Sequence, residues 1–147
     1  MEKSITNQQK HQIYATLKAK LKRAIASEYW FEACMLEYAI IEDRTMSILL
    51  HAGICKNENR RLSNKLNSLE NQIGKQHPVI SKKVDAKTIA DILIWKDRRD
   101  KAVHEACKRL YDENNMKEIA ILGNELVDRI TNEARKVSNY YRRTHVQ

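Results

Sequence analysis

Only one proline, Pro78, and three glycines, Gly53, Gly74 and Gly123, interrupt this chain of 147 residues. So few turn-forming residues leave little room for the many short elements of a sheet protein and favour long helices. Aromatic residues make up only 6% of the chain. Period-two runs rich in Val, Tyr and Thr, which mark strands, are missing. Apolar residues recur instead at steps of three and four. The expected fold is all-α: an antiparallel bundle of four to five helices forming one domain over residues 1–147. A chain of about 150 residues hides roughly 68–70% of its unfolded surface, enough for a sizeable core.

The apolar rows place the helices. Ile13, Leu17, Leu21 and Ile25 mark a first helix over about Thr6–Ser27. A second, about Glu28–Ala52, carries two apolar rows, one through Trp30, Cys34, Tyr38, Ile41, Thr45 and Ile48 and one through Ala33, Leu36 and Ile40. More than one apolar stripe marks a central helix, packed on several sides. Gly53 is its expected stop. No Gly or Pro separates the first two helices, so the sequence leaves open whether they are one bent rod. A third helix, about Asn57–Ile73, has one narrow stripe through Leu62, Leu66 and Leu69 and belongs on the outside. "GKQHPVISKKVD" then reads as a loop. Asp85 offers an N-cap to a further helix with Ile89, Ile92 and Leu93 inward. A last helix, about Met116–Tyr140, turns Ile119, Leu122, Leu126, Ile130 and Val137 to the core. A basic tail with aromatic neighbours, "YYRRTHVQ", starts at about residue 140.

The formal net charge is +8. This balance favours an anionic partner such as nucleic acid, an acidic protein or a lipid surface, and does not choose among them. No run of about 18 apolar residues exists for a membrane span. The N-terminal stretch lacks the apolar core of a signal peptide. No membrane partner and a cytoplasmic location are expected. Cys34, Cys55 and Cys107 stand at wide spacings without a Cys-x-x-Cys pair or a ligand cluster, so buried free thiols and no metal site are expected. No Gly-rich phosphate loop, Ser/His/Asp set or metal-spaced carboxylate cluster appears, and no cofactor is expected.

One segment breaks the core pattern. In "WKDRRDKAVHEA", residues 95–106, a stripe continued from Ile89 would pass through Ile92, Lys96, Arg99, Val103, Ala106 and Leu110. Two of those positions are cations, and burying an unpaired cation costs several kcal/mol. The expected geometry is therefore a break near Trp95–Asp97, with Asp97 capping a new helix. Arg98 and Arg99 would then lie in a first helical turn, where the dipole disfavours cations by roughly 0.3–1 kcal/mol each. A phosphate would offset this. So would a carboxylate elsewhere in the fold. Asp100, four residues before His104, shares a helical face with it and is placed to orient the imidazole. A guanidinium beside an oriented imidazole supplies what metal-free RNA cleavage requires: a proton carrier and a fixed cation for the developing phosphorane charge.

At Arg99, Asp100 and His104 the chain resembles the HEPN superfamily, the higher eukaryotes and prokaryotes nucleotide-binding domain. Its signature is an Arg, four to six residues and a His, usually with Asn, Asp or His directly after the Arg. The long central helix, "EACMLEYAIIEDRTMSILLHAG", and the preceding Trp95 agree with it. The resemblance implies a homodimer in which two such motifs face each other across one cleft. It implies a metal-independent ribonuclease of a toxin–antitoxin, phage-defence or RNA-processing system, leaving a 2′,3′-cyclic phosphate and a 5′-hydroxyl. Arg99 and His104 would be catalytic and Asp100 supporting. Other members only bind nucleotides, nucleic acids or proteins. One subset, paired with nucleotidyltransferase antitoxins, has a Tyr two residues after the His; here Ala106 stands there.

Further candidates surround this segment. Arg98 and Lys101, with Arg142 and Arg143 of the tail, are candidate RNA contacts, and Lys82 and Lys83 share that character. Each also reads as an ordinary solvated charge. Glu42, inside the central helix, is placed to face the cleft as an acid, to anchor Arg98 or Arg99, or to form a buried salt bridge, and a buried salt bridge is also the ordinary reading of Glu37. Trp30 and Trp95 are expected to be core anchors.

Overall fold

A computed structural model describes residues 6–54, 61–108 and 111–145 of the chain, with the side chains of residues 7 and 145 left aside. The described residues are all-helical. They form α1 (Asn7–Ala26), α2 (Trp30–His51), α3 (Leu62–Gly74), the single turn α4 (Ile80–Lys83), α5 (Ala86–Lys108) and α6 (Glu113–His145). Residues 55–60, among which the third helix was expected to begin and where Cys55 lies, fall outside the described residues.

Four long helices make the bundle, and side-chain contacts fix their directions. Tyr14 Oη donates to Thr131 Oγ1 at 3.0 Å and Lys18 Nζ to Asp128 Oδ1 at 2.8 Å, so α1 runs antiparallel to α6. Arg129 Nη1 meets Asp91 Oδ2 at 2.9 Å and Trp95 Nε1 meets the Ile119 carbonyl at 2.9 Å, so α5 is also antiparallel to α6. The Cys34 thiol lies 3.8 Å from the Met116 carbonyl, and Gly123 stands against Glu37, so α2 runs with α6. Helix α2 packs on α1, α3, α5 and α6, the central position its two apolar rows call for. Helix α3 lies outside, against α2 and α5.

The helix ends follow local chemistry. Thr6 and Gln9 form a reciprocal capping box at the start of α1. Asp85 Oδ1 accepts from the Lys87 backbone N–H at 2.9 Å and caps α5. Helices α1 and α2 are separate. Glu28 takes the left-handed conformation at φ 60, and the Tyr29 N–H reaches back to the Ala24 carbonyl at 2.8 Å. That closure usually recruits glycine, because a side chain there costs roughly 1–2 kcal/mol. Gly53, at φ 69, ends α2 by the same closure, with the Ile54 N–H on the Leu49 carbonyl at 3.0 Å. Residues 80–83, inside the expected loop, form the turn α4 instead. The basic tail is no separate extension, since α6 carries it helically to His145.

The core joins Leu21, Ala33, Ile40, Ile48, Leu66, Ile92, Leu126 and Ile130 across the bundle. Trp30 and Trp95 are both buried, as core anchors should be. Ile13 departs from its expected inward row and is exposed. Cys34 is buried, but Cys107 is exposed, which corrects the expectation that the thiols are all interior. Among the described residues no helix is long and apolar enough to cross a membrane.

Candidate functional site

Helix α5 passes through residues 95–97 without a break. The expected cap at Asp97 is therefore absent, and Arg98 and Arg99 sit mid-helix, away from any N-terminal dipole. The reason is local neutralisation of the two cations on the inward stripe. Lys96 Nζ donates to Asp100 Oδ2 at 2.7 Å, and Arg99 Nη1 donates to Asp100 Oδ1 at 2.9 Å. One carboxylate, a helical turn past Lys96, serves both cations and removes the cost that would have forced a break. Its half-buried position opposes charge on Asp100, but the bonds from Lys96 and Arg99 hold the carboxyl below its usual range. The bond to Asp100 likewise raises the Lys96 ammonium above its usual value, against its own desolvation.

Arg99 fills a slot made by α2. Its guanidinium carbon stands 4.3 Å from the centre of the Tyr38 ring, and Nη2 lies 2.9 Å from Met35 Sδ. A planar, weakly hydrated guanidinium suits such a face. The side chain is 13% exposed, and its buried Nε finds no acceptor among the described residues. Burial of the ring, then the charges of Asp100 and Glu42, push the Tyr38 hydroxyl above its usual pKa.

His104 is exposed. It lies five residues past Arg99, ~140° round the helix and ~7.5 Å along it. Arg99 thus points towards α2 while His104 points outward on the opposite side of α5. Asp100 faces Lys96 and Arg99 and makes no hydrogen bond to the imidazole, contrary to the orienting role expected for it. Among the described residues His104 makes no hydrogen bond or ion pair. Arg98 leans to α6, with Nη2 3.6 Å from Glu118 Oε2, both side chains well exposed. Lys101 is exposed beside His104.

The remaining candidates are dispersed. Glu42 Oε1 lies 3.7 Å from Lys65 Nζ, whose side chain is only 2% exposed, so Glu42 forms a salt bridge and anchors neither arginine. Arg142 and Arg143 sit at the far end of α6. At 1.5 Å per residue, the climb from Glu118, beside Arg98, to Arg142 is ~36 Å, and His104 lies further still in the opposite direction. The four candidate RNA contacts therefore form two groups, Arg98 and Lys101 near His104 and Arg142 and Arg143 at the other end of the bundle.

One group carries more than sequence reasoning assigned it. Glu37 is fully buried, and neither carboxylate oxygen has a hydrogen-bond partner among the described residues. The salt bridge expected for it is absent, because the face of α2 that holds it meets Gly123 and Trp95 rather than a cation. Desolvation pushes its pKa up to about 9, so it is a neutral acid at pH 7. Burial, followed by the nearby Glu37, pushes the Cys34 thiol up to about 12 against the pull of Arg99. Glu37, Cys34 and Arg99 thus share one electrostatic environment behind the exposed face of α5. The apolar neighbours of Glu37 in the sequence signalled its burial, but nothing in the sequence signalled the missing cation. Comparison with protein-family models, with curated proteins and with solved structures found no match.

Proposed function

We propose that the chain is a metal-independent endoribonuclease of the HEPN type, with Arg99 and His104 as its catalytic pair. The observation that carries the reading is a seated guanidinium and an exposed imidazole five residues apart on one unbroken helix. Tyr38, Met35 and Asp100 hold Arg99, while His104 stands in solvent beside Lys101 and Arg98. Asp100 acts here as a positioning residue for Arg99 rather than for the histidine. The two side chains leave opposite sides of α5, so a cleft built from one copy alone is open. A homodimer, in which the Arg99 of one copy approaches the His104 of its partner, closes it.

In this reaction His104 takes the proton of an RNA 2′-hydroxyl as its oxygen attacks the adjacent phosphorus. The bond to the 5′-oxygen breaks, and that oxygen takes a proton from solvent water, while protonated His104 returns its proton to solvent. A 2′,3′-cyclic phosphate and a 5′-hydroxyl remain. Arg99 stabilises the charge gathering on the non-bridging oxygens. Arg98 and Lys101 bind the flanking phosphates. A toxin or phage-defence role, with an antitoxin protein as a further partner and a cytoplasmic setting, belongs to the same proposal.

The test is purified protein incubated with single-stranded RNA in excess chelator. Cyclic-phosphate ends should appear and should be lost in Arg99→Ala and in His104→Ala. Cleavage that persists in the double variant ends the proposal. A second reading draws on the engagement of Asp100 with Lys96 and Arg99, which leaves the imidazole without an orienting acid. It is a non-catalytic HEPN-like module that binds RNA, nucleotide or a protein partner. Binding without product in the same assay selects it, and steep weakening by salt selects an RNA ligand over a protein.

A further inference from the structure

The last three turns of α6 carry a second cationic surface. At 100° per residue Arg135, Lys136, Arg142 and Arg143 fall on the side of α6 opposite Ala134, Val137 and Tyr141, which face the core. All four cations are exposed. None makes an ion pair with a described residue, unlike Lys96, Arg99 and Arg129 within the bundle. Arg135 and Arg142 stand seven residues apart, two turns or ~10.5 Å along one face. On the flank of that face Tyr140 is 40% exposed and packs edge-on against Tyr141, with ring centres 5.2 Å apart at 88°. The contact with the partly buried Tyr141 holds the outer ring in place, with a face left for stacking. Helix α4 packs against α6 and adds Lys82, exposed, and Lys83, half-exposed, near the same end of the bundle.

We infer that this end of the molecule is a separate binding surface for single-stranded RNA, with Arg135, Lys136, Arg142 and Arg143 on phosphates and Tyr140 under a base. It rests on the ribonuclease reading for its ligand, and it gives that reading a substrate geometry. The surface lies roughly 40 Å from His104 along the bundle. A stacked strand advances ~3.4 Å per nucleotide, so about a dozen nucleotides join the two places on one protomer. Paired cations and an aromatic face are what a sequence-tolerant strand-binding surface needs. A lipid surface would use the cations too and could seat the tyrosine at its interface, so vesicle binding is measured beside RNA binding.

The test uses the full chain and a 2′-O-methyl RNA of about 20 nucleotides, which cannot be cleaved through its 2′ oxygen and is longer than the roughly 4–16 nucleotides of usual strand-binding sites. Fluorescence anisotropy against salt reads affinity and charge together. Arg142→Ala/Arg143→Ala should weaken binding at least tenfold and flatten the log–log salt dependence by about 1.4, the value for two lost phosphate contacts on a single strand. Tyr140→Ala should weaken binding about tenfold at unchanged salt slope. Lys82→Glu/Lys83→Glu provides a second charge variant at a separate element and should also weaken binding. Arg99→Ala/His104→Ala leaves this surface in place and should weaken binding less than Arg142→Ala/Arg143→Ala does. Unchanged affinity in the two arginine-tail and tyrosine variants overturns the inference, as does complete loss of binding in Arg99→Ala/His104→Ala. So does loss of phosphatidylserine-vesicle binding in Arg142→Ala/Arg143→Ala while its RNA binding stays at the parent value. Tight tail-dependent RNA binding by a protein that cuts no RNA sinks the ribonuclease reading and leaves this surface standing.

Discussion

Gly123 of α6 lies directly against the buried carboxyl of Glu37 on α2. A β-carbon at position 123 would stand 2.7 Å from Glu37 Cδ and 2.8 Å from Trp95 Nε1, and closer still to Glu37 Oε1. Neither neighbour is free to retreat, because Trp95 is fully buried with its indole N–H on the Ile119 carbonyl, and Glu37 is enclosed on all sides. This glycine is required by space and not by backbone angle. Three helices meet at this point with no room for one more carbon.

Gly123→Ala should therefore destabilise the fold by about 1–3 kcal/mol, although alanine is the better helix former. Chemical denaturation of the two proteins measures it. Adding Glu37→Ala should recover part of the loss, so the pair will be less than additive. Full additivity would mean that position 123 does not press on Glu37.

Glu37 also predicts a pH dependence. Its folded pKa is about 9, against an ordinary value of 4.5. Between those values the native chain keeps a proton that the unfolded chain releases. Its contribution to stability is therefore fully present below about pH 4.5, declines as pH rises, and levels off above about 9. The limiting slope is about 1.4 kcal/mol per pH unit. The difference in unfolding free energy between the parent and Glu37→Gln isolates this group. Glu37→Gln should gain on the parent steadily from pH 5 to 8, and a difference that is flat with pH contradicts a neutral buried acid.

The course of the chain was legible wherever one helix decided its own fate. Thr6 and Ser27, read as the ends of the first helix, are its caps, and Gly53 ends α2 as a left-handed residue should. The last helix reads short at Tyr140 because its apolar row stops at Val137, although hydrogen bonding carries α6 on to His145. What the sequence concealed were partners brought from elsewhere. Arg99 looked incompatible with a continuous helix because Tyr38 and Met35 of α2 cannot be seen beside it along the chain. The third helix read as an outer one, and nothing along the chain showed that its Lys65 is buried and meets Glu42 across the α2–α3 contact. The tail arginines read as candidate RNA contacts with no place assigned, because a linear reading does not show that α6 carries them to the end of the bundle opposite His104.

Asp100 is the shared acceptor of Lys96 and Arg99, so its loss leaves two half-buried cations side by side. Its folded pKa lies below the ordinary value, so its contribution to stability is present above about pH 4 and lost as pH falls through the folded value. Asp100→Asn should cost about 1 kcal/mol at pH 7, a figure kept small by the exposure of the carboxylate. The difference from the parent should shrink in thermal unfolding as pH falls below about 4. A cost that persists there would point to lost packing and not to lost charge.

The two described thiols should differ sharply in reactivity. Cys34 is buried, and desolvation pushes its pKa up to about 12, so almost no thiolate exists and no reagent reaches it. Cys107 is exposed near the end of α5. Iodoacetamide at pH 8 followed by peptide mass spectrometry should find Cys107 alkylated in the native protein and Cys34 alkylated only in denaturant. Equal labelling of both in the native state would mean that the α2–α6 contact opens readily.

The most exacting test of the site concerns the kind of cation at position 99. Lysine keeps the charge but loses the flat guanidinium that lies on Tyr38 and the fork that reaches Asp100 and Met35 together. If Arg99 stabilises the phosphorane, Arg99→Lys should lower RNA cleavage by about 10²-fold, within the range for removing one preorganised donor. Tyr38→Phe keeps the aromatic face, removes only the hydroxyl, and should stay within about twofold of the parent. The two substitutions differ in whether the guanidinium survives, so their rates under single-turnover conditions separate a directional donor from a diffuse positive field. Near-parental cleavage by Arg99→Lys would assign the role to charge alone and move the search for the directional donor to Arg98, one residue away and already exposed towards α6.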